Sequence, residues 1–337
     1  MDKQIRWETK HMTKNSDLQV SPSRRPISEC VGLIVNGTNA AAAIKTITAA
    51  EKSGVQQIWM VQPPWSPDGL TTLAAAAIKT SKVRLGTSII PIYPRHPVVL
   101  AQQALALHDI SPDRLRLGIG PSHRAIVEGM YGLPQTTPLV YLREYVKVLH
   151  SILKDGKVDH HGEFFNIVIE FPRTAQIPVL ISTLGKKAFQ LAGEIADGAL
   201  SWMCPVPYLL RTGIPLLHKA ATANGRSNPP PLVAHVPVAF SQDHDSVMVA
   251  GHKMFEMYTK FSFYVKMFTD AGFPLTSDNM VSDDFVNNMI ISGNEDTVAK
   301  SLNKLLASGL DEIMVSLVPI VDEKYEQTQL IHLIGQL

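Results

Sequence analysis

The 337-residue chain is 45 % apolar and 18 % charged, with 31 Lys and Arg against 30 Asp and Glu. That composition suits a soluble globular enzyme with a sizeable core, and the balanced charge argues against nucleic acid or a membrane surface as the main partner. Two cysteines, Cys30 and Cys204, are too few for a disulfide framework and point to a reduced, cytoplasmic setting, and no run reaches the roughly 18 apolar residues of a membrane span.

Residues 1–29 are polar and lack a signal-peptide apolar region, so they are expected to form a weakly ordered tail ahead of one domain over 30–337. CVGLIVN (30–36) reads as a strand ending in an Asn-Gly turn, and the Ala-rich stretch 40–54 as a helix stopped by Gly54. Strand 56–61 and helix 70–81 follow, then VRLGTSII (83–90) as a strand that runs into PIYPRHP. Pro97 suits the first turn of a helix continued by 98–110. RLRLGIG (114–120) is a strand, and Leu142, Tyr145, Val146, Leu149 and Leu153 make one helical stripe. A hairpin is expected around Gly162, then strands at 178–182, 197–202, 231–240 and 311–318. Helices are expected at 186–195 and 294–309, the latter with an acidic first turn. The stretch 243–292 is irregularly helical and holds half of the methionines, which suits adaptable packing. About eight strands alternating with helices over roughly 300 residues imply parallel strands with right-handed crossovers. The expected fold is a (β/α)8 TIM barrel with a helical insertion late in the chain.

In such a barrel the chemistry lies just after each strand. The segments to search are therefore Asn36, 62–65, 88–96, 118–123, 182–185, 201–204, 235–240 and 316–319. LGIGPSH fails the dinucleotide fingerprint, because His123 stands at its third glycine position. Either Gly120 lets the backbone approach a flat ligand, with Ser122 and His123 in the mouth, or the segment is a plain turn. In ISTLGKK, Ser182, Thr183 and Gly185 precede a helix start flanked by Lys186 and Lys187. That is either an anion site or an ordinary N-cap with solvated lysines. His160 and His161 lack metal-ligand spacing, and His244 and His252 read as surface, so no metal site is expected. Asp109 and Asp113 flank a turn, and no nucleophile elbow, P-loop or paired Cys-x-x-Cys occurs.

Residues 83–123, with Leu-Gly-Thr, Arg-His-Pro, Leu-Ala and Leu-Gly-Ile-Gly in order, resemble the bacterial luciferase-like monooxygenase superfamily. The likeness continues through VEGMYGLP, LREYVKVL, the Gly162 hairpin, PVLIS, ADGALSW and SGNEDTVAKSL, over about 30–335. Gly-Pro-Ser-His and Tyr-Gly-Leu-Pro look most like the branch that uses the deazaflavin coenzyme F-420 in place of FMN. The resemblance implies a cis peptide at Ser88–Ile89 behind the cofactor ring. It further implies that Gly120, Pro121, Ser122 and His123 border that ring and that Ser182, Thr183, Leu184 and Gly185 hold its phosphate. It also implies a barrel that is often dimeric. Deazaflavin-dependent alcohol dehydrogenases place Asp-His after strand two, and Gln62, Pro63 and Pro64 stand there instead. The usual base for alcohol oxidation is thus missing, and His123 is left as the proton donor or as a packing contact. The insertion, with Phe255, Phe261, Phe263 and Phe268, would be a lid.

The reading is a cytoplasmic oxidoreductase, expected to be a homodimer, that moves a hydride between the reduced deazaflavin and a small organic substrate. The alternatives are an FMN-dependent monooxygenase that uses oxygen and a flavin reductase partner, and a non-catalytic flavin-binding protein. Trp65 or Trp202 folded into the mouth would instead indicate a structural role without cofactor.

Overall fold

The computed structural model describes residues 25–337. Eight strands form its centre: β1 Val31–Val35, β2 Gln57–Met60, β3 Arg84–Thr87, β4 Leu115–Gly120, β5 Val179–Thr183, β6 Gly198–Ser201, β7 Leu232–Ala239 and β8 Glu312–Leu317. Every pairing between them is parallel and follows chain order, and β8 returns to β1, so the sheet closes. The expected (β/α)8 barrel is the observed fold.

Around it lie α1 Ala40–Lys52, α2 Gly69–Lys79, α3 Pro97–Ile110, α4 Pro138–His150, α5 Lys186–Ile195, α6 Ile214–Ala223, α7 Glu295–Ala307 and α8 Glu323–Gln336. Asn39, Asp68, Asn294 and Asp322 cap α1, α2, α7 and α8 through their side-chain oxygens, and Pro97 opens α3. The chain pattern does not announce α8, nor the helical stretch Val206–Tyr208, Leu209–Gly213 and α6. In the second case Pro207, Gly213 and Pro215 interrupt the pattern, and the chain takes a π-helical turn at Leu209–Gly213 between the two α-helical pieces. The Gly162 hairpin is observed as Lys157–His161 against Asn166–Glu170. Of the tail expected over 1–29, residues 1–24 lie outside the described residues. Residues 25–29 are engaged: Ile27–Cys30 is one helical turn, and Arg25 donates to Glu312 at 3.1 Å.

Side chains alternate across each strand, so one set packs on the helices and the other fills the bore. Inside, Ile34, Trp59, Leu180, Leu200, Val233 and Met314 form a cluster separate from the outer core. Trp59 is fully buried, and the strands beside it carry glycine. A Cβ on Gly32 would stand 2.6 Å from Trp59 Cδ1, and one on Gly86 2.3 Å from Cε3. Below the indole lies a charged floor. The Arg116 guanidinium sits 4.9 Å from the Trp59 ring centroid, donates to Glu312 Oε2 at 2.6 Å and donates to Gln57 Oε1 at 3.0 Å. Burial pulls the Glu312 carboxyl upward, but Arg116 and Arg25 outweigh it and hold the group below its ordinary range.

Strand β3 does not run unbroken to residue 90. It stops at Thr87, the Ser88–Ile89 peptide is cis, and Ile90–Pro91 resumes pairing with β4. At the break the Thr87 hydroxyl donates to Gly118 O at 2.8 Å and accepts from Gly118 N at 2.9 Å. A Cβ at Gly118 would lie 1.9 Å from Thr87 O, so the bulge needs glycine opposite it.

If the two glycines exist to seat the indole, Gly86→Ala lowers stability by about 1–3 kcal/mol, the range for overpacking. In Trp59→Leu/Gly86→Ala the two losses are less than additive, because the smaller residue vacates the contested space. Urea denaturation of the two single variants and the double variant measures this, and strict additivity would refute it.

Candidate active site

The C-terminal ends of the strands meet in a mouth lined by aromatic and imidazole rings. His235 on β7 is buried inside the bore, and its Nε2 lies 2.8 Å from Ser316 Oγ on β8. Its Nδ1 is buried without a partner. Trp202, one residue past β6, stacks on the imidazole at 3.9 Å between centroids and 13° between planes. The indole N–H donates to the Tyr258 hydroxyl at 2.8 Å. His123, which follows β4, is covered in the same way by Phe261 at 4.3 Å and 13°, with Tyr264 tilted at 5.4 Å. Tyr258 and Tyr264 meet edge to face at 4.8 Å. One stretch of the insertion, residues 258–264, therefore reaches both histidines, one directly and one through Trp202.

Both imidazoles are held neutral. Burial pulls His235 down to about 3 and His123 to about 4, with no carboxylate nearby to oppose the loss of hydration.

The expected site residues come together unequally. Ser88 and Ile89 form the cis bulge at the end of β3, and Pro121, Ser122 and His123 follow β4 on the adjacent strand. Ser122 has φ +60°, which turns the chain sharply before His123 begins the helix Arg124–Gly129. Gln135 is buried and donates to Pro121 O at 2.8 Å, which fixes this turn from behind. Gly120 requires a different explanation from the one expected. The space its Cβ would fill belongs to Ser182 Oγ at 2.2 Å, so Gly120 admits the neighbouring strand. Thr183 points away from the bore, and its hydroxyl donates to Leu200 O at 3.2 Å, leaving only its backbone for any ligand. Leu184 is partly buried, and its carbonyl accepts from Tyr208 at 3.2 Å. Gly185 is the residue with room. It precedes α5, no side chain caps that helix, and nothing lies within 4 Å of the place of a Cβ. Lys186 and Lys187 beside it are exposed. An uncapped helix start with open space and two lysines suits the phosphate of a flavin or deazaflavin.

The loop after β2 is occupied by structure. Gln62 accepts from Gly69 N at 2.9 Å and donates to Asp68 at 3.2 Å, and Arg95 pairs with Asp68 at 2.5 Å. Burial raises the Asp68 carboxyl, but the Thr71 N–H and Arg95 more than reverse this and keep it ionised. His96 caps α3 through Nδ1, 3.3 Å from Val98 N, and its ring meets Phe165 edge-on.

The lid also needs correction. Phe255 and Phe268 are fully buried and pack on Phe285 at 4.9 and 4.5 Å, forming the insertion's own core. Phe263 faces outward, and of the four expected phenylalanines Phe261 is the one on His123. Trp65 is exposed, whereas Trp202 does enter the mouth, the placement expected of a role without cofactor; it lies on His235 and leaves the start of α5 at Gly185 open, so it closes only the β6–β7 side of the mouth. Of these mouth residues the sequence names Trp202 only as a plug, and it gives His235, Ser316 and Tyr258 no role of their own. The first three lie in segments that follow from the strand-end rule, while Tyr258 carries no such signal.

A family profile described as luciferase-like monooxygenase matches residues 19–312. The chain belongs to that family, a family of oxidoreductases. It is 26 % identical over 320 residues to the 5,10-methylenetetrahydromethanopterin reductase of Methanopyrus kandleri, covering 85 % of this chain and 91 % of that one. The solved coenzyme F-420-dependent tetrahydromethanopterin reductase from the same organism superposes with a TM-score of 0.72 at 22 % identity, over 91 % of this chain and 97 % of that one. An F-420-dependent secondary alcohol dehydrogenase holding an F-420–acetone adduct gives 0.77 at 19 % identity, with coverages of 91 and 97 %. The FMN-bound oxygenating constituent of 3,6-diketocamphane monooxygenase from Pseudomonas putida gives 0.69 at 18 %, also with 91 and 97 %. These superpositions establish the shared fold. No helix among the described residues is long and apolar enough to cross a membrane.

Because His235 is neutral when folded and protonates near pH 6.5 when unfolded, acid favours the unfolded chain. Its contribution is intact above pH 6.5 and is lost as the pH falls toward 3. At pH 4.5 the loss from this group is about 2–3 kcal/mol. His235→Phe keeps a ring under Trp202 and is expected to remove about half of the loss that the two neutral histidines cause between pH 6.5 and 4.5, His123 supplying the rest, as measured by urea denaturation. An unchanged pH slope would show that His235 does not carry the effect.

Proposed function

We propose that this chain is a deazaflavin-dependent reductase that passes a hydride from reduced coenzyme F-420 to a small organic acceptor. The observation that carries this is the nearly full-length likeness to a methanopterin reductase in a chain whose strand-two loop is locked by Gln62, Asp68 and Arg95. Such a loop offers no free base for oxidising an alcohol, and reduction needs none at that place. Bound F-420 supplies the hydride, and the protein supplies the seat, the orientation and the shielding from water.

In this reading the phosphate lies at Gly185 and the start of α5, with Lys186 and Lys187 adding positive charge. The bulge at Ser88–Ile89 backs the ring, and Pro121, Ser122 and His123 border it. Ser182 and Gly120 set the spacing between β4 and β5 beneath. The acceptor enters among Trp202, Tyr258, Phe261 and Tyr264, which favour a largely apolar molecule. His123 is neutral at pH 7 and packs on the ring, so the balancing proton is drawn from water.

The deciding experiment is a fluorescence titration of the purified chain with F-420 and FMN in parallel. Selective binding of F-420 is the expected result. Selective binding of FMN would move the assignment to oxygen-dependent monooxygenation. Gly185→Asp puts a carboxylate where it caps the helix itself and repels the phosphate, and is expected to weaken F-420 about tenfold or more. Unchanged affinity would remove the phosphate from this site. With a reducible acceptor, turnover is expected to stay level from pH 6 to 8, since neither histidine titrates there. A limb near 6.5 that disappears in His123→Gln would restore His123 as the proton donor.

A further inference from the structure

One face of His123, a residue of the proposed ring seat, carries Phe261. The two rings are parallel within 13° at 4.3 Å, the separation at which flat conjugated rings stack. The phenyl therefore occupies the kind of contact a flat ring would make on that imidazole. Phe261 does not stand there alone. Three residues earlier, Tyr258 accepts the Trp202 indole N–H at 2.8 Å, and Trp202 in turn lies on His235. Three residues later, Tyr264 leans on both His123 and Tyr258. The stretch is joined to the barrel by ring contacts and one side-chain hydrogen bond. Met257 at its edge and Phe263 within it are exposed, whereas Tyr264 is buried and meets Phe268 at 5.9 Å in the first turn of the helix Ser262–Ala271, so the stretch is anchored at that end and lightly held before it. Residues 257–261, fixed to the barrel by a few exchangeable ring contacts, are therefore a segment that a better ring can displace.

We propose that Phe261 is a gate that holds the ring seat on His123, so that a flat cofactor ring enters only after residues 257–261 swing out from the anchored Tyr264 and release Trp202. The proposal rests on the functional reading above for the identity of the ring. It goes beyond a covering lid because it assigns one side chain to the seat itself and makes displacement a step in binding.

Stopped-flow mixing of the purified chain with F-420 tests it, using the native sequence, Phe261→Ala and Phe261→Leu. The gate predicts a native binding rate that levels off with F-420 concentration, at the rate of opening. In both variants the plateau rises or vanishes, and binding at high concentration is roughly three- to tenfold faster, the loss of one aromatic stack. Amide hydrogen exchange over 257–261, measured without cofactor, is expected to quicken in both variants while exchange in the barrel strands is unchanged. Equal rates in all three proteins, with exchange unaltered, would overturn the gate. Slower or weaker binding in the variants would also overturn it, by making Phe261 a clamp on the bound ring.

FMN is run alongside to separate the two ideas. A native plateau with FMN that Phe261→Ala lifts, with no binding of F-420, keeps the gate and discards the deazaflavin. Binding of neither cofactor by any of the three proteins would overturn both and leave the mouth permanently plugged.

Discussion

The bore of this barrel is set by one indole. Trp59 is too large for a ring of eight strands unless its neighbours yield, and they yield as Gly32 on β1 and Gly86 on β3. The indole then separates two environments. Beneath it, Arg116 and Glu312 form a charged pair that must be closed, because an unpartnered charge at that depth costs several kcal/mol. Gln57 and Arg25 complete the set. Above it the interior turns from Leu180, Leu200 and Met314 to Ser182, His235 and Ser316. The floor is thus given to stability and the upper layers to polar and aromatic side chains.

The second constraint is the break in β3. Where the backbone ladder fails, the Thr87 hydroxyl serves as donor and acceptor to Gly118, so the N–H and the carbonyl of Gly118 both keep a partner. The bulge lets Arg95 come back over the end of β2 and take Asp68, which already caps α2 and binds Gln62. Each of these groups is engaged by another. That is why the strand-two loop is chemically quiet, although Asp68 stands there as a carboxylate.

The layout of the barrel was open to reading because it is written in local periodicity. Buried runs of five or six residues, helices capped by Asn or Asp, and Pro97 at a helix start each act over a few positions. The cis bulge at Ser88–Ile89 came from resemblance and is found there, while the helix start after Gly185 was open to reading from the residues and is found without a side-chain cap. What could not be read lies between distant segments. Trp202 on His235 spans 33 positions, Trp202 to Tyr258 spans 56 and His123 to Phe261 spans 138, by their numbers. The insertion shows the difference within a single stretch: its phenylalanines are alike in sequence, yet Phe255 and Phe268 turn inward to Phe285 and Phe261 turns to the mouth. Gly120 makes the same point at atomic scale. A glycine before a mouth residue suggests room for a ligand, and here the room is taken by Ser182.

The aromatic cover has an electrostatic consequence that bears on chemistry. Phe261 and Tyr264 over His123, and Trp202 over His235, replace water with faces that hydrate a cation poorly, and neither imidazole has a carboxylate to offset this. A mouth closed in this way excludes a proton from its own histidines as well as bulk water. For hydride transfer that is an advantage, since a hydride donor is protected from acid and the acceptor is held in apolar surroundings. The same cover leaves the proton that completes a reduction to be supplied when water regains access. In the proposed reduction, closure and proton delivery would then belong to different positions of residues 257–261, ordered by the rings that join this stretch to the barrel.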